Sequence, residues 1–476
     1  MQAGFFSTNI TPPIGTMQAG NYNRQYIQGL AGSMKVRAAV FEQDGLLYAF
    51  AGVDCCAIDR ATIAAALEYA RQQAGIQFAG HIVSASHTHS GAAVSAFFDF
   101  QLLQKAEPKV LELLQDSPLP DPWYNDWVRR QLASALIMAY KSLQPCLLNS
   151  GIGHEDSMVF NRRFYLKDGR AYTHPGKMNP DIVEPAGPID PAVGVLGAWR
   201  PDGSLIGCLL NYSCHGTTHG GRLTHADWYH HAEQTLQKLF GREVGTVILN
   251  GACGDITQVN NQSFSKDTGP EISYKLGFRV AAEAAKLLVS QNKHKYSQLA
   301  AASCELPLKR RRPSSDSVTR AWETLARCST STEPDAVFAR ERLIAAELAR
   351  LEPLRLVTLS AIQLGDTLFL ANPAEYFCSL GLKVKAGSGF QNCMLVELAN
   401  DIVGYVPDLE AFDPVRGGGY ETVLTAYSNL QPEAGDLIAE KLIEMAGKFK
   451  PEQIPATASQ EPGSLWDYGR RGPDLH

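Results

Sequence analysis

The chain has 476 residues, of which 45% are hydrophobic and 19% charged, an ordinary balance for a globular protein. Its net charge of −6 and the lack of any long basic run exclude nucleic acid as an expected partner. No uncharged apolar stretch approaches the roughly 20 residues of a membrane helix. The start, Met1 to Phe6, lacks a basic segment followed by an apolar one, so no leader is expected and the protein reads as cytoplasmic. None of the 10 cysteines forms a Cys-x-x-Cys pair, which excludes a zinc knuckle or thioredoxin-type site and predicts free, buried thiols.

Val36 to Glu42 and Leu46 to Val53 read as strands joined by Gln43-Asp44-Gly45, a hairpin signal. Arg60 to Gln73 has helical periodicity and stops before Gly75. The apolar run His81 to Val83 predicts a buried strand. It breaks into Ser84-Ala85-Ser86-His87-Thr88-His89-Ser90-Gly91. Residues two apart on a strand share a face, so His87 and His89 can reach one site. They are either metal-binding and proton-shuttling imidazoles or hydrogen-bonded loop histidines.

Trp123 to Leu143 predicts a long helix and Leu147 to Gly151 a strand; Phe160-Asn161-Arg162-Arg163-Phe164 then sets two arginines between aromatics. Val193 to Trp199 and Leu205 to Tyr212 predict a hairpin around Pro201-Asp202-Gly203. Its second strand delivers Ser213-Cys214-His215-Gly216-Thr217-Thr218-His219. Leu223-Thr224-His225-Ala226-Asp227 opens a helix to about Phe240. Val247 to Asn250 is a further strand, ending in Gly251-Ala252-Cys253-Gly254-Asp255-Ile256-Thr257, where two glycines allow close backbone approach.

A helix is predicted from about Glu271 to Ser290, and Lys309 to Arg312 reads as a solvated basic turn. After a helix over Ala336 to Leu351, strands over Leu356 to Leu364 and Thr367 to Ala371 flank Gly365-Asp366. The second runs into Asn372-Pro373-Ala374-Glu375-Tyr376. Glu375 is either an acid favoured by the dipole of the next helix or a ligand. Met394 to Leu398 is another strand, followed by Gly404-Tyr405. Gly417-Gly418-Gly419-Tyr420-Glu421 then presents one ring on flexible backbone. Gln431 to Lys448 is the last predicted helix.

These elements predict an α/β fold with a mixed central sheet flanked by helices and polar clusters converging at the strand ends. Residues 1–450 are expected to form one domain and 451–476, rich in proline, glycine and polar residues, a mobile tail. Two histidines and a carboxylate meeting at such ends would make a catalytic zinc set.

The motifs resemble, in order, those of the neutral/alkaline ceramidases, zinc-dependent amidases. Ser86-His87-Thr88-His89-Ser90-Gly91 resembles that family's Thr-His-Thr-His-Ser-Gly, and Asn161-Arg162 its Asn-Arg. Cys214-His215-Gly216-Thr217, Gly254-Asp255-Ile256-Thr257, Pro373-Ala374-Glu375-Tyr376, and Gly404-Tyr405 with Tyr420-Glu421 continue the likeness.

The resemblance implies zinc held by His87, His215, Glu375 and Tyr405, with His89, Arg162 and Tyr420 facing the scissile amide. It also sets Thr257 where the family has a serine near the metal. Zinc lowers the pKa of bound water from 15.7 to about 7, so hydroxide attack on an amide at neutral pH is the implied reaction. Asp54, Asp227 and Asp255 are candidates for orienting the imidazoles, or are plain strand-end and cap acids.

The sequence departs from the family at Ala92-Ala93, in place of a proline-glycine run, and in a wider Tyr405-to-Tyr420 spacing. It also stops short of the family's immunoglobulin-like C-terminal domain. The expected substrate is therefore a small soluble amide, with no membrane partner, rather than ceramide. An ester or lactone hydrolase, a true ceramidase and a non-catalytic binding protein are the competing readings. No Asp-His follows the His-x-His, which disfavours a metallo-β-lactamase.

Overall fold

In the computed structural model, which describes residues 1–454 and 463–476, the expected single sheet is divided among three mixed sheets. Each is built on one plan: an outer strand, an antiparallel hairpin, a crossover helix and a parallel strand. In the first sheet the order is Phe78–Ala85, Leu46–Val53, Lys35–Gln43 and Gln2–Asn9, with Gln144–Pro145 at the edge. The second runs Gly245–Asn250, Leu205–Tyr212, Ala192–Trp199 and Leu147–His154. The third runs Leu299–Lys309, Leu354–Leu364, Thr367–Ala371 and Asn392–Val396.

The turns follow from local chemistry. Asp44 and Gly45 both take positive φ, 53° and 81°, which is the turn that matches strand twist in a two-residue hairpin. Helix Arg60–Ala74 starts where the Asp59 side chain accepts from Thr62 N at 2.7 Å and stops at left-handed Gly75. Helix Pro122–Lys141 starts with Asp121 as cap and proline in its first turn.

Each sheet buries its outer face under helices. Val40, Ala51 and Val83 pack on Leu132 and Leu136 of Pro122–Lys141. Leu210 and Ile248 pack with Leu236 of helix Asp227–Phe240 and Val280 of helix Pro270–Ser290. Leu370 and Leu395 pack with Leu380 of helix Cys378–Gly387 and Ile438 of helix Ala434–Ala446. The inner faces share one core, in which Phe50, Ile82, Leu209, Val247, Phe369 and Met394 meet. Strands buried on both faces read as continuous apolar runs, which is what Leu205 to Leu210 shows.

Two expectations are corrected. The basic segment after Lys309 is no solvated turn: Arg310 pairs with Glu352 and donates to Asn429, and Arg311 donates to the Thr422 and Ser428 carbonyls. Both therefore pin the stretch that follows Tyr420. Helix Ser315–Arg327 lies where no helix is predicted. At the expected tail, Glu452 accepts hydrogen bonds from Ser297 N and Gln298 N; residues 455–462 of it lie outside the described residues. No helix among the described residues is long and apolar enough to cross a membrane.

Candidate metal centre

The repeated plan brings six strand ends to one place. In each sheet the two parallel strands finish side by side: Val53 beside Ala85, Tyr212 beside Asn250, Ala371 beside Val396. The residues just past these ends supply the polar groups. Cys56 and His87 come from the first sheet, His215 and Cys253 from the second, Glu375 and Glu397 from the third. One donor atom from each of His87, His215 and Glu375 lies within 4.8 Å of the other two, and all three residues are buried.

Backbone carbonyls fix the two imidazoles. His87 takes φ of 60°, an uncommon conformation for a non-glycine residue, and its Nδ1 sits 2.8 Å from Cys56 O. His215 Nδ1 lies 2.7 Å from Cys253 O and 3.0 Å from Ile256 O. A carbonyl only accepts, so each Nδ1 is assigned the hydrogen and each Nε2 keeps its lone pair. Those Nε2 atoms face Glu375 Oε2, at 3.2 Å from His87 and 3.7 Å from His215. Glu375 Oε2 is buried with no hydrogen-bond partner among the described residues.

Acceptors pointed at one another in a dry site repel unless a positive charge sits between them. The titration directions say the same. Burial alone would depress His87, but the Glu375 carboxylate and the Cys56 thiol outweigh it and hold His87 well above its ordinary value. Burial would raise Glu375, yet His87 and His215 hold it well below the carboxylate range. His215 is driven well below its ordinary value by burial and then by the Arg162 guanidinium, and so is neutral. The pocket demands either a proton on His87 Nε2 or a cation. Two neutral imidazoles and a carboxylate fit a divalent transition metal such as zinc.

Beside His87 and Glu375 lies a cavity of about 150 Å³, lined also by His89, Tyr405, Tyr420 and Tyr427 among others. A larger cleft of about 460 Å³ is lined by Arg60, Arg355 and Asp401; both arginines pair with Asp401 and Arg60 also with Glu305, and no group of converging metal donors among the described residues lies there. His89 Nδ1 is held 3.1 Å from Gly20 O, so its Nε2 faces His87 Nε2 at 3.4 Å. Tyr405 Oη is 2.7 Å from Tyr420 Oη and accepts from Arg162 Nη2 at 3.0 Å. Burial pushes both phenols up, against the pull of Arg162, so both are neutral O–H groups.

Arg162 is engaged on every side. It pairs with buried Glu421 at 2.9 Å, donates to Gly254 O at 2.7 Å and turns Nη1 toward His215 Nε2 at 3.2 Å. Its guanidinium thus points into the donor trio itself.

Four of the sequence-derived residues stand elsewhere. Thr257 is absent from the cavity lining; its hydroxyl donates to Gln258 Oε1 at 3.2 Å, while the carbonyl of its neighbour Ile256 holds His215. Asp54 pairs with Arg37 at 2.7 Å. Asp255 accepts from Asn161 Nδ2 and Cys378 N. Asp227 accepts from Thr218 Oγ1 and His219 N. None of these three acids orients His87 or His215, because carbonyls already occupy both Nδ1 positions.

Three residues were missed. Cys56 Sγ lies 3.7 Å from His87 Nδ1; burial would raise this thiol, but His89 and His87 outweigh it and bring it to about 6. Glu421 balances Arg162. Glu397 accepts from Cys253 N and Tyr376 N, both at 2.9 Å, and so ties the His215 support to the Glu375 strand. Burial raises Glu397 to about 7.

No family model matches the chain, and no curated protein matches it. Solved structures do. A neutral ceramidase from Pseudomonas aeruginosa superposes with a TM-score of 0.70 at 18% identity, over 95% of this chain and 76% of that one. A ceramidase complexed with C2 gives a TM-score of 0.70 at 16% identity, over 96% and 77%. Superposing over nearly its whole length, the chain has the ceramidase-like fold.

Proposed function

We propose that this protein is a zinc-dependent hydrolase that cleaves the carbon–nitrogen bond of a small amide. The observation that carries the reading is the orphaned Glu375 Oε2 facing the Nε2 atoms of His87 and His215, in a fold shared with ceramidases. His87, His215 and Glu375 would hold the ion, with Tyr405 as the fourth ligand. Residues 1–450 act as one unit in this reading, since the three sheets share a core.

Zinc there would supply Lewis acidity, polarising water and the amide carbonyl. The remaining work falls to the chain's own groups. His89, anchored through Nδ1 to Gly20 O, has Nε2 free to take the proton of the attacking water and return it to the leaving nitrogen. Tyr420 Oη donates to the oxygen on which negative charge develops. Arg162 holds Tyr405 Oη in place, and its Nη1 leaves His215 to share that charge. Phe97, Tyr22 and Tyr427 wall the pocket with rings and exclude water around the reacting atoms.

The compact cavity supports a small N-acyl substrate over a two-chain lipid. The test is hydrolysis of matched short-chain N-acyl amides and esters by chelator-treated protein before and after zinc is restored. Amide cleavage that returns with zinc is expected. Ester cleavage alone, or amide cleavage indifferent to metal, would contradict the reading.

A further inference from the structure

Behind the segment that carries His87 and His89 lies a second imidazole cluster, which the hydrolase reading does not use. Ring nitrogens of His219, His225 and His231 lie within 4.8 Å of one another. His225 is 5% exposed, and its Nδ1 is buried with no hydrogen-bond partner among the described residues. The same is true of His219 Nε2 and His231 Nε2. His219 and His225 stack with ring centroids 3.8 Å apart, and His230, 5.3 Å from His225, adds a fourth imidazole with an unpartnered Nδ1.

Neighbouring Asp227 makes no hydrogen bond to these ring nitrogens. Asp227 Oδ1 accepts from Thr218 Oγ1 at 2.6 Å and Trp228 N at 2.8 Å, and its Oδ2 accepts from His219 N at 3.0 Å. Several buried, unpartnered nitrogens in one patch are costly unless something binds them. Neutral imidazoles are the donors that zinc, copper and nickel prefer.

We propose that His219, His225 and His231 form a second metal site, taking one divalent transition-metal ion of the zinc class. Its place in the fold gives it a structural role. Thr88 Oγ1 donates to His225 O at 2.8 Å, His225 N donates to Ser90 O at 2.9 Å, and Ser90 Oγ donates to His219 O. Residues 88 and 90 thus face the second cluster, while 87 and 89 face the first. His219 lies four residues beyond His215 on the loop that pairs with this segment at Thr88 and Gly216. An ion at the second site would brace both loops that carry the first site's imidazoles.

The inference stands apart from the hydrolase reading and is tested by counting zinc. Purified full-length protein is loaded with Zn2+, dialysed against metal-free buffer and analysed for metal per chain. The wild type should retain two equivalents. His231→Ala should retain one, and the double variant His87→Ala with Glu375→Gln should also retain one. Should His231→Ala fail to fold, the double variant decides: one remaining equivalent supports the second site and none overturns it. A single wild-type equivalent that survives His231→Ala, or two equivalents in that variant, overturns it as well. A single equivalent lost in His231→Ala yet kept by the double variant supports the second site and removes the first.

Discussion

His87 Nε2 and Glu375 Oε2 meet at 3.2 Å although they leave different sheets. Neither has a hydrogen to share once His87 Nδ1 has donated to Cys56 O. The pair therefore holds only with a proton or a cation between the two atoms, and most of the functional reading grows from that requirement.

Removing either Glu375 or His215 should empty the first site. Glu375→Gln keeps the shape but replaces the anionic oxygen, and His215→Ala removes a lone pair supported by two carbonyls. In both variants the zinc held at this site should fall to near zero by elemental analysis. Full retention would show that these side chains are not ligands.

Tyr420→Phe deletes one hydroxyl, the partner of Tyr405 Oη at 2.7 Å, and leaves the three donors untouched. Zinc content should stay at the wild-type level while turnover of the amide falls about 100- to 1000-fold, the usual cost of one oxyanion donor. An unchanged turnover number would remove Tyr420 from the reaction.

Glu421 and Arg162 form a buried pair, with side chains 0% and 5% exposed. Glu421→Ala leaves a buried guanidinium without its counter-ion. A loss of about 3–5 kcal/mol in unfolding free energy is expected from urea denaturation. A loss under about 1 kcal/mol would mean that Gly254 O and Tyr405 suffice to hold Arg162.

Glu341 supplies a pH signature. Burial raises it from 4.5 to about 7, with Arg340 opposing. A carboxyl whose folded value lies above its unfolded one favours the folded state fully below about 4.5 and loses that contribution as the pH rises through about 7. Relative to Glu341→Gln, the wild type should lose on the order of 3 kcal/mol between pH 4.5 and 8, at about 1.36 kcal/mol per unit. Parallel stability curves for the two proteins would contradict this.

Much of the site was legible because apolar strands broke abruptly into histidine or glutamate, as at His87, His215 and Glu375. Cys56 carried a similar signal, since it follows Val53 by the same three residues that separate His215 from Tyr212. It passed as one buried thiol among ten. Sequence left Asp54, Asp227 and Asp255 open between orienting and plain acids, because imidazoles here are oriented by carbonyls, which every residue type carries alike. The three sheets were hidden for another reason. Periodicity marks a strand, but the pairing of Leu205–Tyr212 with Gly245–Asn250, or of Thr367–Ala371 with Asn392–Val396, is set by long-range packing. Arg310 and Arg311 show the converse, a charged run whose partners lie about 40 to 120 residues away in sequence.

The most direct measurement is anomalous diffraction at the zinc edge from crystals of the zinc-loaded protein. A peak is expected within bonding distance of His87 Nε2, His215 Nε2 and Glu375 Oε2 together. Density that stays empty among those three atoms, in crystals whose enzyme still cleaves amides, would contradict it.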